Sequence, residues 1–347
     1  MDGLAYAYSQ AAGRAVFKQS PADFIVQESL SFEPEGEGNQ AFLYIEKTNT
    51  NTEWLARQLA RFAGIELKEV GYAGLKDRQA VSSQWFSVKL EGVAIPDWDE
   101  FLLDGVRILK KTWHRKKLKR GAIKNNQFKI TLRDIKGISA QELQQRVEQI
   151  AQQGVPNYFG RQRFGHDYNN LQRAARWFNR DIKIKKRIEK SMVLSAARSM
   201  VFNQMLSERI NQLGWNTLSE GEVMMLNGSR SVFAAQTIEP DIQQRFTEGD
   251  IHPTMALWGR GRLSSTADVL SLEQNSADKL SHWCQALENQ GLQQARRTAR
   301  LVPGNISITI DKAQHSPLIS RAVLCFSLPS GCYATAVLRE LVRVEQP

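Results

Sequence analysis

An aspartate set between two cations in a glycine-bearing turn is the residue of this chain best suited to nucleophilic chemistry. The run Gly71 to Trp85 (GYAGLKDRQAVSSQW) places Asp77 between Lys76 and Arg78, which bracket the carboxylate with positive charge as a nucleophile requires. Gly71 and Gly74 are expected to adopt backbone angles closed to other residues, letting the chain approach a ligand closely. Asp is also a common turn residue, because its side chain bonds its own backbone, and Lys-Asp-Arg reads equally as a solvated charge triplet. A second chemistry-bearing stretch is the basic run Lys110 to Arg120 with Trp113 inside it, which suits phosphate contacts that position a nucleic acid without reading its sequence. Taken alone, such a run is as readily a solvated face.

The elements that must carry these residues follow from patterning. Residues 69–72 read as a strand end, and Phe86, Val88 and Leu90 alternate as on a half-buried strand, so Asp77 falls on a strand-to-strand connection. Phe24 and Val26 share one face of an extended stretch after Ser20-Pro21, and Gln40 to Lys47 alternates as a strand. Asn51 or Thr52 caps a helix bearing Leu55, Leu59 and Phe62, closed by Gly64. Ser139 to Glu142 forms a capping box for a helix with Leu143, Val147 and Ile150 inward, ended by Gly154 and Pro156. From Leu171 to about Gly304 the pattern turns helical, with a second basic cluster at residues 180–190; strands return at Ile306, Ile308 and Ile310 and over 322–328, before a helix at 334–342.

Several of these stretches carry a resemblance. The run around Asp77 resembles the signature of the tRNA pseudouridine synthase D (TruD) family, G-x-x-G-x-K-D-[RK]-x-A-V-x-x-Q-W. Lys18 to Glu28 is similar to that family's K-x-x-P-x-D-F-x-V-x-E, Gly121 to Phe128 to its G-A-x-K-x-N-x-F, Asn157 to Gly165 to its N-Y-F-G-x-Q-R-F-G, and Leu328 to Thr335 with Arg339-Glu340-Leu341 to its closing L-P-x-G-x-[FY]-A-T and R-E-L. The resemblance implies Asp77 as catalytic nucleophile, with Lys18, Phe24, Lys76, Asn126 and Tyr333 as substrate-binding residues. Lys18 is then an active-site cation, Phe24 and Tyr333 stack on the extruded base, and the Asn126 amide meets a uracil edge. Read without it, Phe24 is a core aromatic, Asn126 part of a polar turn, and the aromatics of residues 158–164 pins between two domains. The implied fold is α+β: an antiparallel-sheet pseudouridine synthase catalytic domain, residues 1–151 and 305–347, interrupted by an inserted, mainly helical α/β TRUD domain at 152–304. The implied reaction converts uridine to pseudouridine at position 13 of the tRNA D arm, with no cofactor.

Composition agrees with a nucleic-acid partner. The 347 residues hold 46 Lys and Arg against 36 Asp and Glu, a formal net charge of +10, the electrostatic footprint of a polyanion binder. Cys284, Cys325 and Cys332 form no C-x-x-C pair, so neither a disulfide framework nor a cysteine metal site is indicated. The first fourteen residues lack the order of a signal peptide, and no apolar run approaches membrane-spanning length. The expectation is a cytoplasmic protein whose partner is tRNA, with no membrane and no obligatory protein partner. An RNA methyltransferase would account for the charge but calls for a glycine-rich cofactor loop after a strand, and none is convincing. A non-catalytic RNA binder would leave Lys76-Asp77-Arg78 without a task.

Overall fold

A computed structural model describes residues 3–312 and 319–345. The chain divides into two compact units, one of residues 12–151, 303–331 and 341–347, the other of residues 1–11, 152–302 and 332–340.

The first unit is built on a ten-stranded, predominantly antiparallel sheet. Seven of its strands are β1 (Arg14–Phe17), β2 (Phe24–Leu30), β3 (Gln40–Thr48), β4 (Val70–Tyr72), β5 (Val81–Lys89), β6 (Val106–His114) and β7 (Ile123–Lys136); Gly304–Lys312, Ile319–Pro329 and Arg343–Glu345 supply the rest. Along the main path the order is Gly304–Lys312, Ile319–Pro329, β7, β2, β5, β3, β6, and only β2 with β5 and β1 with Arg343–Glu345 run parallel. Helix α1 (Thr52–Phe62) starts where expected: the Asn51 side chain accepts from the backbone N–H groups of Glu53 and Trp54, satisfying two of the orphan donors of a helix start. Its apolar side buries Leu55 and Leu59 against Leu43, Ile45, Phe86 and Val88, and Gly64 closes it with φ +65°. Phe62 lies at the rim, 37% exposed. The capping box of helix α2 (Ala140–Gln153) forms as read: Glu142 N–H donates to Ser139 Oγ at 3.1 Å, and Ser139 N–H donates back to Glu142 Oε2 at 2.9 Å.

Strand β5 departs from the alternating expectation. Every residue from Ser82 to Val88 is buried, because the strand lies between β2 and β3 and both of its faces are covered: Phe86 and Val88 face the α1 core, while Trp85 packs with Phe42, Ala73, Leu118 and Ile123. A central strand covered on both sides shows no polar face to read.

The second unit centres on the helix Arg187–Gln212, whose Val201, Phe202, Met205 and Leu206 are wholly buried. Around it pack the helices Asn169–Phe178, Ala267–Lys279 and Ser281–Asn289 and a four-stranded antiparallel sheet. The division differs from the expected one at two short segments, because residues 1–11 and 332–340 join this helical unit. Ala5 N–H donates to Ser207 Oγ at 2.8 Å, Tyr158 Oη to the Ala5 carbonyl at 3.1 Å, and Arg339 to the Leu4 carbonyl at 2.9 Å. Residues 3–11 are irregular and carry no periodicity to betray their attachment, and the periodicity of the helix Ala334–Leu341 shows an apolar face without showing which unit covers it. Among the described residues no helix is long and apolar enough to cross a membrane.

Strand β3 also carries an unanticipated charge. Lys47 is fully buried, and its ammonium donates to the Thr50 carbonyl at 2.7 Å. Burial pulls its pKa down to about 8, with Asp77 opposing the shift and Lys76 adding to it. The folded value lies below the unfolded one, so the cost of burying the cation is present in full below pH 8 and is relieved as pH rises from 8 toward 10.5. Wild type should therefore gain up to roughly 3 kcal/mol of stability on Lys47→Met across that window. Denaturant unfolding of both proteins at a series of pH values measures the gap, and parallel stability curves would contradict the expectation.

Candidate active site

Asp77 sits on the irregular connection between β4 and β5, as the sequence indicates. Its partner is not one of its neighbours. The carboxylate Oδ2 lies 2.6 Å from the ammonium of Lys18, with the lysine side chain 10% and the aspartate 30% exposed. Lys76 turns away toward Glu28 and Asn126, and Arg78 donates to the Asn49 carbonyl at 3.3 Å. The expected bracketing of Asp77 by Lys76 and Arg78 is thus replaced by a pairing with a cation 59 residues away. Adjacent side chains on an extended loop diverge, so sequence neighbours are poorly placed to converge on one carboxylate. Lys18 follows β1 in the left-handed region at φ +60°, a conformation that costs a non-glycine residue about 1–3 kcal/mol and persists where surroundings enforce it. Its carbonyl accepts from Gln79 Nε2 at 3.4 Å, and its ammonium stands 4.0 Å above the centre of the Phe24 ring.

The glycine expectation is corrected as well. Neither Gly71 nor Gly74 has a positive φ. Gly71 is required for room: a Cβ there would lie 2.5 Å from Ser87 Oγ and 2.6 Å from the Leu118 carbonyl oxygen, whereas at Gly74 it would make an ordinary 3.6 Å contact with Ile123. The connection is pinned by side chains instead. Lys76 N–H donates to Thr52 Oγ1 at 3.2 Å, Thr52 Oγ1 donates to Gln84 Oε1 at 2.9 Å, and Gln84 Nε2 donates to the Gly74 carbonyl at 3.3 Å. The start of α1 and the centre of β5 therefore hold the residues just before Asp77.

Strand register supplies the floor. In the antiparallel pairing of β2 with β7, Phe24 opposes Ile130, Val26 opposes Phe128 and Glu28 opposes Asn126, so these side chains share one face. Phe17, Phe24, Phe128 and Phe326 form a row across it, with successive ring centres 5.4, 6.0 and 5.3 Å apart. Phe24 is buried and has the Lys18 ammonium over its ring, while Phe128 is half-buried. Nothing in the sequence by itself gives Phe128 or Phe326 a part in the site. The available signal was the phenylalanine two places beyond Asn126, but only pairing with Ile319–Pro329 brings Phe326 beside it.

Glu28 and Asn126 meet at the other end of this face. The Glu28 side chain is wholly buried, its Oε1 accepts the Trp85 N–H at 2.7 Å, and its Oε2 lies 2.8 Å from the Lys76 ammonium. Lys76 also donates to Asn126 Oδ1 at 2.7 Å. Lys18, Phe24, Lys76, Asp77 and Asn126 thus belong to one unit. Tyr333 belongs to the other, where its ring packs on Phe159 at 5.9 Å with the Arg163 guanidinium 5.8 Å from its centre. Burial raises the Tyr333 phenol pKa above its usual value. Among the described residues no group of three or more His, Cys, Asp or Glu side chains is placed to hold a metal ion.

An accessible carboxylate paired with a buried cation, beside an aromatic sheet face and an ordered amide, can attack or hold a flat polar ring. Comparison with known proteins places the whole chain. A family model described as tRNA pseudouridine synthase D (TruD) matches residues 1–183 and 169–341. The chain is 42% identical to the tRNA pseudouridine synthase D of Hydrogenovibrio crunogenus, covering 99% of this chain and 96% of that one, and 43% identical to that of Methylococcus capsulatus, covering 99% and 95%. A Methanosarcina mazei structure solved under the TruD name superposes with a TM-score of 0.76 over 97% of this chain and 95% of that one, at 21% identity, a likeness of fold. The chain belongs to the tRNA pseudouridine synthase D (TruD) family.

Proposed function

We propose that this chain isomerises uridine to pseudouridine in tRNA, at the uridine conventionally numbered 13 in the D arm, with Asp77 as nucleophile. The observation that carries the reading is the Lys18–Asp77 pair, a carboxylate still 30% exposed on a loop locked to the sheet. Membership of a family whose relatives are named tRNA pseudouridine synthase D supports the formation of pseudouridine in tRNA. The isomerisation breaks the N1–C1′ bond and forms C5–C1′ within one nucleotide, so atoms and oxidation state balance without a co-reactant. Attack of Asp77 at C1′ and addition at uracil C6 both draw on the same carboxylate. In either case the carboxylate loses its charge as its new bond forms, and the Lys18 ammonium becomes available to negative charge developing on the uracil. Such a cation, already in place, needs no reorganisation during the reaction.

The base must leave its stack, at a cost of a few kcal/mol. Stacking on an aromatic face returns about 1–3 kcal/mol per base. Phe24 serves as a wall under Lys18, and Phe128 as the more open ring beside it. Lys76 and Asn126 complete the polar side of the pocket.

Binding of the tRNA body is assigned to the basic strip. Part of its charge is compensated internally: Lys111 pairs with Asp99 at 2.6 Å, Arg115 with Glu35 and Glu37, and Lys117 donates to the Lys68 carbonyl. Lys116, Lys119 and Arg120 have no ion pair among the described residues, and with Phe32 and His114 they line a cavity of about 500 Å³. Affinity for tRNA is expected to fall about 10³- to 10⁵-fold between 50 and 200 mM salt if some 6–10 phosphates are neutralised. Replacing Lys116, Lys119 and Arg120 by Gln should flatten the log–log slope by roughly one unit per contact, while Arg115→Gln leaves it nearly unchanged. An unaltered slope in the triple variant would place the RNA path elsewhere.

For the nucleophile, Asp77→Asn keeps size and shape but removes charge and nucleophilicity. Pseudouridine formed in a single turnover should drop by about a thousandfold or more, equivalent to some 4 kcal/mol of transition-state stabilisation. The affinity for tRNA at matched salt should be undiminished, since removing a negative charge cannot weaken attraction to a polyanion. Substantial product from a folded, tRNA-binding Asp77→Asn protein would refute the assignment.

A further inference from the structure

The Asn126 amide is oriented before any substrate arrives. Asn126 stands directly opposite Glu28 in the β2–β7 ladder, and Lys76 reaches between them, 2.8 Å from Glu28 Oε2 and 2.7 Å from the amide. An ammonium has three donors and no acceptor. The amide atom facing it must therefore be Oδ1, and the usual ambiguity between the oxygen and nitrogen of an asparagine is decided by the chemistry of its partner. A flip would aim the amide NH₂ at the lysine NH₃⁺. Lys76 is in turn held by a carboxylate of zero exposure, whose other oxygen takes the Trp85 N–H. Buried pairs of this kind add little net stability, and removing one partner strands the other charge. What this pair provides is direction. Asn126 is half-buried, and its Nδ2 makes no hydrogen bond with any described residue.

The geometry points to Asn126 as a hydrogen-bond donor to a uracil carbonyl, with Glu28 and Lys76 as the positioning residues that forbid the opposite reading. This rests on the uridine-isomerising function proposed above. Uracil offers two carbonyl acceptors, O2 and O4, and one donor, N3–H; a preset NH₂ complements the carbonyls and rejects N3–H. Cytosine carries an amino group where uracil has O4, so a donor aimed at that position also disfavours cytidine. The same arrangement survives the reaction. Turning the detached ring about its N3···C6 axis exchanges N1 with C5 and O2 with O4, so one fixed donor meets a carbonyl in the starting pose and again in the turned one. An acceptor aimed off that axis would lack this continuity.

The test is a coupling measurement on tRNA carrying uridine, 2-thiouridine, 4-thiouridine or 3-methyluridine at the target position. Wild type, Asn126→Ala, Asn126→Asp and Lys76→Met are compared by single-turnover rate and by tRNA affinity. A thiocarbonyl is a weaker acceptor, so at least one thio substitution should slow wild type by roughly tenfold, the scale of one hydrogen bond. That penalty should vanish in Asn126→Ala and Asn126→Asp, neither of which can donate, and shrink in Lys76→Met, whose amide is free to turn. The effect of 3-methylation should be the same in wild type and both Asn126 variants. Which thio substitution couples identifies the carbonyl read. A merely structural role for Lys76 would lower rates without changing the thio penalty, which would remove the positioning role. Coupling of Asn126 to N3 methylation, or thio penalties independent of Asn126, would overturn the proposal. Absence of pseudouridine from wild type with unmodified tRNA would instead refute the function on which it rests. If Lys76→Met does not fold, the Asn126→Asp comparison still decides the donor assignment.

Discussion

The pairing of β2 with β7 is the constraint on which the rest of this site depends. It places Phe24, Glu28, Asn126 and Phe128 on one face of the sheet, and side chains alternate with period two, so a slip of one residue would send the set to the other face. The register is enforced from both sides. Ile130 and Leu132 are fully buried apolar anchors of β7, and the buried carboxylate of Glu28 accepts a hydrogen bond from the backbone of β5. A slipped strand would leave that carboxylate without its donor and without Lys76, an expensive arrangement in a dry interior.

Three lysines near the candidate nucleophile illustrate how burial and partner choice give one residue type three duties. Lys18 pairs with Asp77 over an aromatic ring, Lys76 joins Glu28 to Asn126, and Lys47 donates to a backbone carbonyl in a site where burial holds its pKa at about 8. They are not interchangeable, because each ammonium is fixed by different acceptors. Surface charge works differently. Along residues 110–120 several cations are already matched by acidic or carbonyl partners, so formal charge overstates what a polyanion meets there. Exposed pairs of this kind contribute little to stability, and their main effect is to set which cations remain available.

Much of the local architecture is legible without coordinates. Asn51 capping α1 and the Ser139–Glu142 box rest on interactions within a few residues, where sequence spacing and spatial spacing agree. The motif around Asp77 also identified the family correctly. The polar partners were not legible. Lys76 and Arg78 were the obvious companions of Asp77, yet Lys18 takes that place. In sequence Gly71 suggests a conformational device, yet its backbone angles are ordinary and its lack of a side chain is what Ser87 and Leu118 require. Lys47, on an alternating strand, gave no sign that its face would be sealed.

The division follows from the range of the forces involved. Capping, helical periodicity and strand alternation are encoded at separations of two to four residues, and a motif preserves them in order, so the sequence by itself determined the elements, the family and the placing of Asp77 on a connection. The contacts that define the site join residues 50 or more positions apart, Lys76 with Asn126 and Lys18 with Asp77. Which of several lysines reaches a carboxylate, which way an amide faces and which ring stays open depend on strand register and on what is buried beside it. Only the tertiary structure decided these, because buried polar groups take whichever partner satisfies them in space, and chain distance does not enter that choice.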